Sequence, residues 1–237
     1  METAAYIEKD DSLRRGLTAG LSIAFGYMPV AITFGLLAGS TGLTVFEAVL
    51  MSMLVFAGAA QYMALSMIAI GAGALEIVLA TFIVNFRHLL MSASINERAE
   101  PTSKKFRSLF GFFLTDEVFA VSSVKQPPVS GSYILGVGLS AYSSWVGFTA
   151  AGYFTGALLP AVLQESMGIA LYALFIALLV PSVKEEGRPV IILALMGGGF
   201  HWIYQLFMET GWAIMSATIT AVILYELLDV KRRKDHE

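Results

Sequence analysis

The sequence contains no cysteine, only three histidines and few charged residues for its length of 237 residues. Without cysteine it cannot form disulfides, thiolate nucleophiles or Cys-ligated metal sites. Charged residues make up 14% of the chain, whereas a typical soluble domain has about 25%. The net charge of −3 provides no basic surface for nucleic acid. HExxH, P-loop and GxSxG motifs are also missing, so the sequence predicts neither an enzyme, nor a metal site, nor a cofactor.

Long apolar segments are the main feature of the chain, which is 57% hydrophobic and has a mean hydropathy of +0.72. A membrane helix needs about 20 apolar residues to cross a hydrocarbon core of about 30 Å. Eight segments approach or exceed that length, namely 16–39, 44–70, 75–95, 106–124, 131–159, 167–183, 189–208 and 211–228. None alternates as barrel strands do. The sequence therefore predicts an all-α, polytopic transmembrane helix bundle with seven or eight hydrophobic segments, forming a single transmembrane domain over residues 1–237.

The positions of Lys and Arg fit eight plain crossings poorly. Basic residues tend to lie on the cytoplasmic side of a membrane. Eight crossings that keep both termini inside would nevertheless place the basic cluster within 98–107 on the outside. One solution is that segment 44–70 breaks near Gly58 and leaves the membrane on the side where it entered. A cytoplasmic C-terminus then requires a second irregular segment, so we expect some segments to be broken or re-entrant.

The two halves of the chain, 16–124 and 131–228, share a weak sequence pattern. Phe34–Leu37 in the first half is similar to Phe154–Leu159 in the second, and each stretch is followed by a glutamate. Secondary transporters are commonly built from two structural repeats around a site at the membrane midplane. The halves are therefore candidates for an inverted repeat, although apolar sequences also resemble one another by chance.

Glycine-rich stretches mark places where the membrane helices are expected to break. Gly26–Pro29 interrupts the first segment, because Pro29 lacks a backbone donor. Gly58–Gln61 lies in the middle of the second segment, and Gly197–Gly199 precedes His201 in the seventh. A broken helix exposes N–H groups and carbonyls at mid-membrane, where they can hold a substrate carboxylate or ammonium. The alternative is that these glycines allow close helix packing.

A polar stripe runs along the third segment around Arg87. Arg87 lies about 12 Å from the predicted end of its helix, near the middle of the membrane. A charge at that depth costs from about 3 to more than 10 kcal/mol, so it should face the bundle interior and be paired. Thr81, Asn85, His88 and Ser92 repeat beside it at helical spacing. Alternatively, Arg87 extends to the cytoplasmic headgroups and the stripe only holds helices together.

Two adjacent acids, Asp116 and Glu117, lie near mid-depth in the fourth segment. Adjacent residues of a helix point about 100° apart, so only one of the two easily meets a single cation. We predict that Asp116 pairs with Arg87, or that one of the acids binds and releases a proton, as a buried carboxyl can near neutral pH. A static ion pair between two helices is the alternative.

Four stretches, in this order along the chain, carry a family resemblance: Gly26–Pro29 with Phe34-Gly35, Phe56–Gln61, Asn85–Ser92 and Leu114–Ala120. In them the sequence resembles the AzlC-type branched-chain amino acid exporters, a family named for azaleucine resistance. The resemblance implies an exporter of leucine, isoleucine and valine, and in some members methionine, in a bacterial or archaeal inner membrane. It also implies a small, AzlD-type membrane subunit as partner.

The leading hypothesis is an inner-membrane secondary transporter that exports branched-chain amino acids and is driven by the proton-motive force. Its candidate substrate-binding residues are Gln61, Asn85, Gly58 and Tyr27. Its candidates for charge pairing or proton coupling are Arg87, His88, Asp116 and Glu117. Two alternatives remain open: a passive channel or pore lined by the polar stripe, and a non-transporting membrane scaffold for a partner subunit.

Overall fold

The computed structural model describes residues 2–156, 158, 160, 162, 176, 179–180, 183–184, 187–208 and 210–234. Every named secondary-structure element in these ranges is an α-helix. The helices are α1 (Glu2–Ser40), α2 (Val45–Leu54), α3 (Gly58–Ala69), α4 (Ala74–Arg98), α5 (Lys104–Phe112), α6 (Asp116–Ser123), α7 (Gly131–Gly156), α8 (Arg188–Tyr204) and α9 (Thr210–Lys234). The predicted all-α bundle is therefore confirmed. The predicted segment 167–183 lies almost entirely outside the described residues.

Four of the described helices are long and apolar enough to cross a membrane: Ser12–Ser40 within α1, all of α4, all of α7, and Gly211–Leu228 within α9. Large apolar side chains project outward from them, and Phe25 and Phe82 expose 71% and 64% of their surfaces. Helices suit such surroundings because they satisfy their backbone hydrogen bonds internally, where lipid offers none. The chain is a multi-pass membrane protein, as the sequence predicted.

The described residues divide into two compact units, which lie within Met1–Leu65 with Val84–Leu171 and within Ser66–Ile83 with Tyr172–Glu237. The first unit contains α1, α2, α5, α6 and α7, together with the start of α3 and the end of α4. The second contains α8 and α9, which pack against each other. The single-domain organisation and the two repeat halves stay predictions.

Helices α1 and α7 form the most extensive helix pair among the described residues. Small residues let their backbones approach: a Cβ added to Gly35 would lie 2.0 Å from the carbonyl oxygen of Thr149. Ser144 of α7 crosses the same seam, where its hydroxyl donates to the Ala24 carbonyl at 2.6 Å. Close packing of small residues with hydrogen bonds between helices is a usual way to join helices in lipid. Helices α2, α5 and α6 of the first unit pack against this helix pair.

Segment 44–70 is divided into α2 and α3, as the sequence predicted. The break falls just before Gly58, where Phe56 has a positive φ of 42°. A residue with a side chain is strained in that region of backbone space, so the surrounding contacts must hold it there. The break therefore requires a specific set of stabilising interactions around it.

Segment 106–124 is also divided, into α5 and α6, although the sequence analysis treated it as one helix. Thr115 begins the new helix, because its side-chain oxygen accepts a hydrogen bond from the N–H of Val118 at 3.4 Å. The preceding residue, Leu114, is buried at the break. The chain thus gains a second discontinuity in the first unit.

Two other predicted breaks are wrong. Gly26–Pro29 lies inside the continuous helix α1, and Gly197–Gly199 lies inside the continuous helix α8. Pro29 removes only one backbone donor, and α1, which packs along α7, continues through that point. The three glycines of α8 do not serve close packing within the described residues either, since a Cβ added at any of them would meet nothing within 4 Å.

In the second unit, a buried carboxylate holds the beginning of α9. Glu76 is 5% exposed, and its Oε1 accepts a hydrogen bond from the N–H of Gly211 at 2.9 Å. The first N–H groups of a helix have no partner within the helix, so an acid at this end satisfies one of them and interacts favourably with the helix dipole. Glu76 therefore has a structural role in its own unit.

Candidate functional site

The break between α5 and α6 places two carboxylates at the start of a helix. Asp116 and Glu117 are the first two residues of α6, directly after the capping residue Thr115. Free N–H groups and the helix dipole favour negative charge at this position. Both acids were predicted inside an unbroken helix, and this prediction is wrong: they lie half-buried at a helix start in the first unit.

Arg87 of α4 pairs with the first of these acids. Its Nη1 atom lies 2.9 Å from Oδ2 of Asp116, and the two side chains are 34% and 24% exposed. The pairing predicted from the sequence is therefore present in the structure. Because both side chains are partly exposed, the pair is neither a fully buried salt bridge nor a surface one. Its participation in transport stays a prediction.

Tyr27 of α1 joins the second acid to the rest of the bundle. Its hydroxyl lies 2.5 Å from Oε2 of Glu117 and 2.8 Å from Oγ1 of Thr115. Tyr27 itself is buried, and its ring packs edge-on against Trp145 of α7 with 5.2 Å between ring centroids. A long-range polar contact thus connects α1 with the start of α6.

The end of α4 adds further polar groups to the same place. His88 lies close enough to Arg87, Asp116 and Glu117 to interact with them electrostatically, and its Nδ1 atom is 3.3 Å from the Asn85 carbonyl oxygen. Oδ1 of Asn85 and Nε of Arg87 are buried and have no hydrogen-bond partner within the described part of the chain. We call Tyr27, Arg87, His88, Asp116 and Glu117 the charged cluster; it has polar atoms available for a ligand.

A second polar group in the same unit carries no charge. We call Ser52, Gln61, Trp145 and Thr149 the neutral cluster. Gln61 is fully buried, with its Nε2 donating to Ser52 Oγ at 3.1 Å and its Oε1 accepting from Trp145 Nε1 at 3.0 Å. The same Oε1 lies 3.3 Å from the N–H of Ala57, and Ser52 Oγ is 2.8 Å from Thr149 Oγ1. These bonds hold the strained break between α2 and α3 against α7.

The neutral cluster also explains why residue 58 is a glycine. A Cβ added to Gly58 would lie 2.9 Å from Cη2 of Trp145, so a larger residue would push the indole away from Gln61. The predicted substrate-binding residues are therefore separated: Gln61 and Gly58 belong with the neutral cluster and Tyr27 with the charged one. Asn85 lies one helical turn before His88 on α4, with its backbone carbonyl near the His88 ring. The sequence analysis missed Ser52, Trp145 and Thr149, although a Trp and hydroxyl residues in apolar spans are a signal for buried hydrogen bonds.

Among the described residues, no group of three or more His, Asp and Glu side chains is placed to hold a metal ion. The charged cluster instead offers a guanidinium, two carboxylates, an imidazole and a phenol within one interior region. Such groups match a small zwitterion, because they present donors for a carboxylate and acceptors for an ammonium.

Comparison with known proteins identifies the family. The sequence model described as AzlC protein matches residues 22–159. A membrane protein of Archaeoglobus fulgidus with no assigned function is 34% identical over 220 residues, covering 92% of this chain and 96% of its own. Inner membrane protein YgaZ of Escherichia coli is 34% identical over 191 residues, covering 77% and 78%. Branched-chain amino acid transport protein AzlC of Bacillus subtilis is 24% identical over 180 residues, covering 75% and 70%.

No solved structure matches the chain significantly. The family match covers more than half of the chain and includes both polar clusters and the two helix breaks. The Archaeoglobus relative extends the similarity over nearly the whole length of both proteins. The chain therefore belongs to the AzlC family of membrane proteins.

Proposed function

We propose that this protein is a secondary transporter that exports branched-chain amino acids across the cell membrane. The observation that carries the proposal is the charged cluster, in which an Arg87–Asp116 ion pair lies beside Glu117 in the interior of a membrane-spanning bundle. Ionisable groups in such positions are costly and are usually retained for a substrate or ion pathway. The name of the Bacillus subtilis relative, a branched-chain amino acid transport protein, supports the substrate class.

The chemistry of the cluster supports an amino acid as the substrate. A zwitterion needs an acceptor for its ammonium, which Asp116, Glu117 and Oδ1 of Asn85 supply. It needs a donor for its carboxylate, which the free Nε of Arg87 supplies. The aliphatic side chain needs apolar surroundings. The packed rings of Tyr27 and Trp145 are apolar surfaces of this kind. Pockets for small molecules commonly combine an apolar lining with a few placed polar groups in this way.

The proposal includes a direction, an energy source and a partner. We propose outward transport driven by the proton-motive force, with one carboxyl of the charged cluster as the coupling group. We also propose an AzlD-type small membrane subunit as the partner. Family resemblance supports the direction and the partner, and the presence of interior carboxyls supports the coupling.

Efflux of labelled leucine tests this function. Cells loaded with labelled leucine would express the chain, with and without an AzlD-type subunit, and vector-bearing cells would serve as the control. We expect the chain with its subunit to raise the efflux rate several-fold, with saturation and with competition by isoleucine and valine. Flux that rises linearly with leucine would indicate a pore. Unchanged efflux despite normal membrane expression would contradict transport and favour a scaffold.

A further inference from the structure

The charged cluster does not balance its own charge. It contains one guanidinium and two carboxylates, so one negative charge is in excess when His88 is neutral. Asp116 is matched by Arg87 at 2.9 Å. Among the described residues, Glu117 has no ion pair of this kind; its Oε2 accepts from the neutral hydroxyl of Tyr27, at a helix start that itself favours negative charge. The excess charge in this region is therefore carried by Glu117.

In the described part of the chain, the groups recorded around Glu117 supply no second cation. Helix α6 packs against α1 and α7. From α1 it meets Tyr27, and α7 has no Asp, Glu, Lys, Arg or His along its length. The charged groups recorded nearby are Asp116 on its own helix and Arg87 and His88 on α4. A carboxylate without a paired cation is costly inside a membrane protein, so a cation from outside the chain stabilises it.

The hydrogen bonds around Tyr27 suit Glu117 in two protonation states. When Glu117 is ionised, Tyr27 donates its one proton to Oε2, and Thr115 can donate to the Tyr27 oxygen. When Glu117 is protonated, it donates to the Tyr27 oxygen, and Tyr27 donates to Oγ1 of Thr115. The Tyr27 hydroxyl, Oγ1 of Thr115 and Oε2 of Glu117 each have a partner in both arrangements. Gain or loss of the proton therefore leaves none of these three oxygens unsatisfied.

We propose that Glu117 is an exchange site that holds either a proton or the α-ammonium group of the substrate, and never both. This inference rests on the function proposed above. When the ammonium arrives, the proton leaves the Glu117 carboxyl oxygen for water on the side that the site faces. When the ammonium leaves on the other side, a proton from water takes its place. With the proton bound the cluster carries no net charge, and with leucine bound the ammonium is matched by Glu117 while the substrate carboxylate shares Arg87 with Asp116. Because Glu117 holds only one of the two cations at a time, outward movement of the amino acid is linked to inward movement of a proton.

Competition of this kind has a measurable signature. Leucine remains a zwitterion near neutral pH, so the pH affects its binding through the protein. As the pH falls, the apparent Kd for leucine should rise, up to about tenfold per pH unit, the limit for one competing proton. Binding of leucine should also release protons, up to one per leucine. A carboxylate that served only in a static contact would give neither effect.

Binding of labelled leucine to the full chain in lipid nanodiscs, from about pH 5 to pH 8, tests the inference. We expect wild type to show the pH slope and Glu117→Gln to show none, because the amide keeps the contact with Tyr27 but binds no proton. Glu47→Gln is the matched control. It removes a carboxylate from an exposed capping box at the start of α2, where glutamine also serves, and it should keep the wild-type slope.

The outcomes separate the two proposals. If wild type binds no leucine at any pH, the proposed function fails. If wild type binds leucine with the same Kd at every pH, or if Glu117→Gln keeps the slope, the exchange site is overturned and the function stands. Proton release by wild type, followed with a dye in weak buffer as leucine is added, decides the matter even if Glu117→Gln does not fold. Leucine binding without release of protons at about pH 5, the acid end of the range, overturns the inference.

Discussion

The neutral cluster and the charged cluster lie in the same unit, yet their surroundings differ in two respects. Gln61, at the centre of the neutral cluster, is fully buried, and both ends of its amide are engaged. In the charged cluster, Arg87 and Asp116 are 34% and 24% exposed, and Nε of Arg87 has no hydrogen-bond partner in the described residues. The first cluster is closed by its own hydrogen bonds, and the second retains capacity to bind.

This difference indicates different roles for the two clusters, although residues of both were predicted to bind the substrate together. A fully satisfied polar network rigidifies a core and specifies one arrangement of it. A cluster with unmet hydrogen bonds and an excess charge is unfavourable until something binds to it. We infer that the neutral cluster maintains the break between α2 and α3, while the charged cluster meets the substrate. Tyr27 connects the two through its contact with Trp145.

The largest expected effect is a loss of leucine transport in Arg87→Gln. The variant removes the donor for the substrate carboxylate and leaves Asp116 without its cation. Truncating one member of a charge pair that contacts a ligand costs about 2–5 kcal/mol when the pair is buried, and the lower end suits this partly exposed pair, which corresponds to about a 30-fold loss of transport. Partial exposure limits the loss of folding free energy to about 1 kcal/mol. Efflux of labelled leucine and thermal unfolding in detergent measure the two quantities.

Lys105→Gln is the matched control for Arg87→Gln. It removes the same charge from an exposed position on α5 that belongs to neither cluster. Transport by this variant should stay close to that of wild type. If Arg87→Gln transports normally, or if its loss of transport follows only from unfolding, the charged cluster is a structural element like the neutral one and the comparison breaks down.

A smaller effect, on stability instead of binding, is expected for Gln61→Leu. Leucine would leave Nε1 of Trp145, Oγ of Ser52 and the N–H of Ala57 without their present partner. An unsatisfied buried group costs about 1–3 kcal/mol in proteins, and hydrogen bonds in membrane proteins average nearer 0.6 kcal/mol, so we expect a loss of about 2 kcal/mol. The Kd for leucine should change less than twofold in the fraction that remains folded.

Gln126→Leu, the same change at an exposed position between α6 and α7, controls for the loss of an amide from the chain. It should alter neither stability nor binding. A Gln61→Leu variant with wild-type unfolding temperature but much weaker leucine binding would restore the role that the sequence analysis gave to Gln61, as a residue that binds the substrate.

Sequence reasoning found the charged cluster because the cost of a charge in lipid is a strong constraint. Arg87 at mid-depth requires an anion, and Asp116 and Glu117 are acids at a similar predicted depth in the next apolar segment. It did not find the contact of Glu117 with Tyr27, which depends on the packing of α1 against α6. Hydropathy contains no information about which faces of two apolar helices meet.

The helix breaks were harder to predict, because the local signals conflict with packing. Pro29 is a strong breaker in isolation, yet α1 continues through it. Thr115 with two following acids is an ordinary start signal for a helix, but it lies in an apolar run where a continuous span was expected. Trp145 and Thr149 received no role, because an apolar segment gives no indication of which of its few polar atoms face a partner.

The smallest effect expected is that of Thr149→Val, which tests how closed the neutral cluster is. Valine keeps the shape of the side chain and removes the hydroxyl that lies 2.8 Å from Ser52 Oγ. Because Ser52 keeps its bond from Gln61, the loss should be only about 0.6 kcal/mol, the average for a hydrogen bond between membrane helices. Thr155→Val makes the same change on α7 at an exposed hydroxyl that bonds only to Ala151 of its own helix, and should be neutral. Thermal unfolding of both variants in detergent measures the difference. Equal stability of the two would mean that the Ser52–Thr149 contact contributes nothing, and that the neutral cluster depends on Gln61 and Trp145 alone.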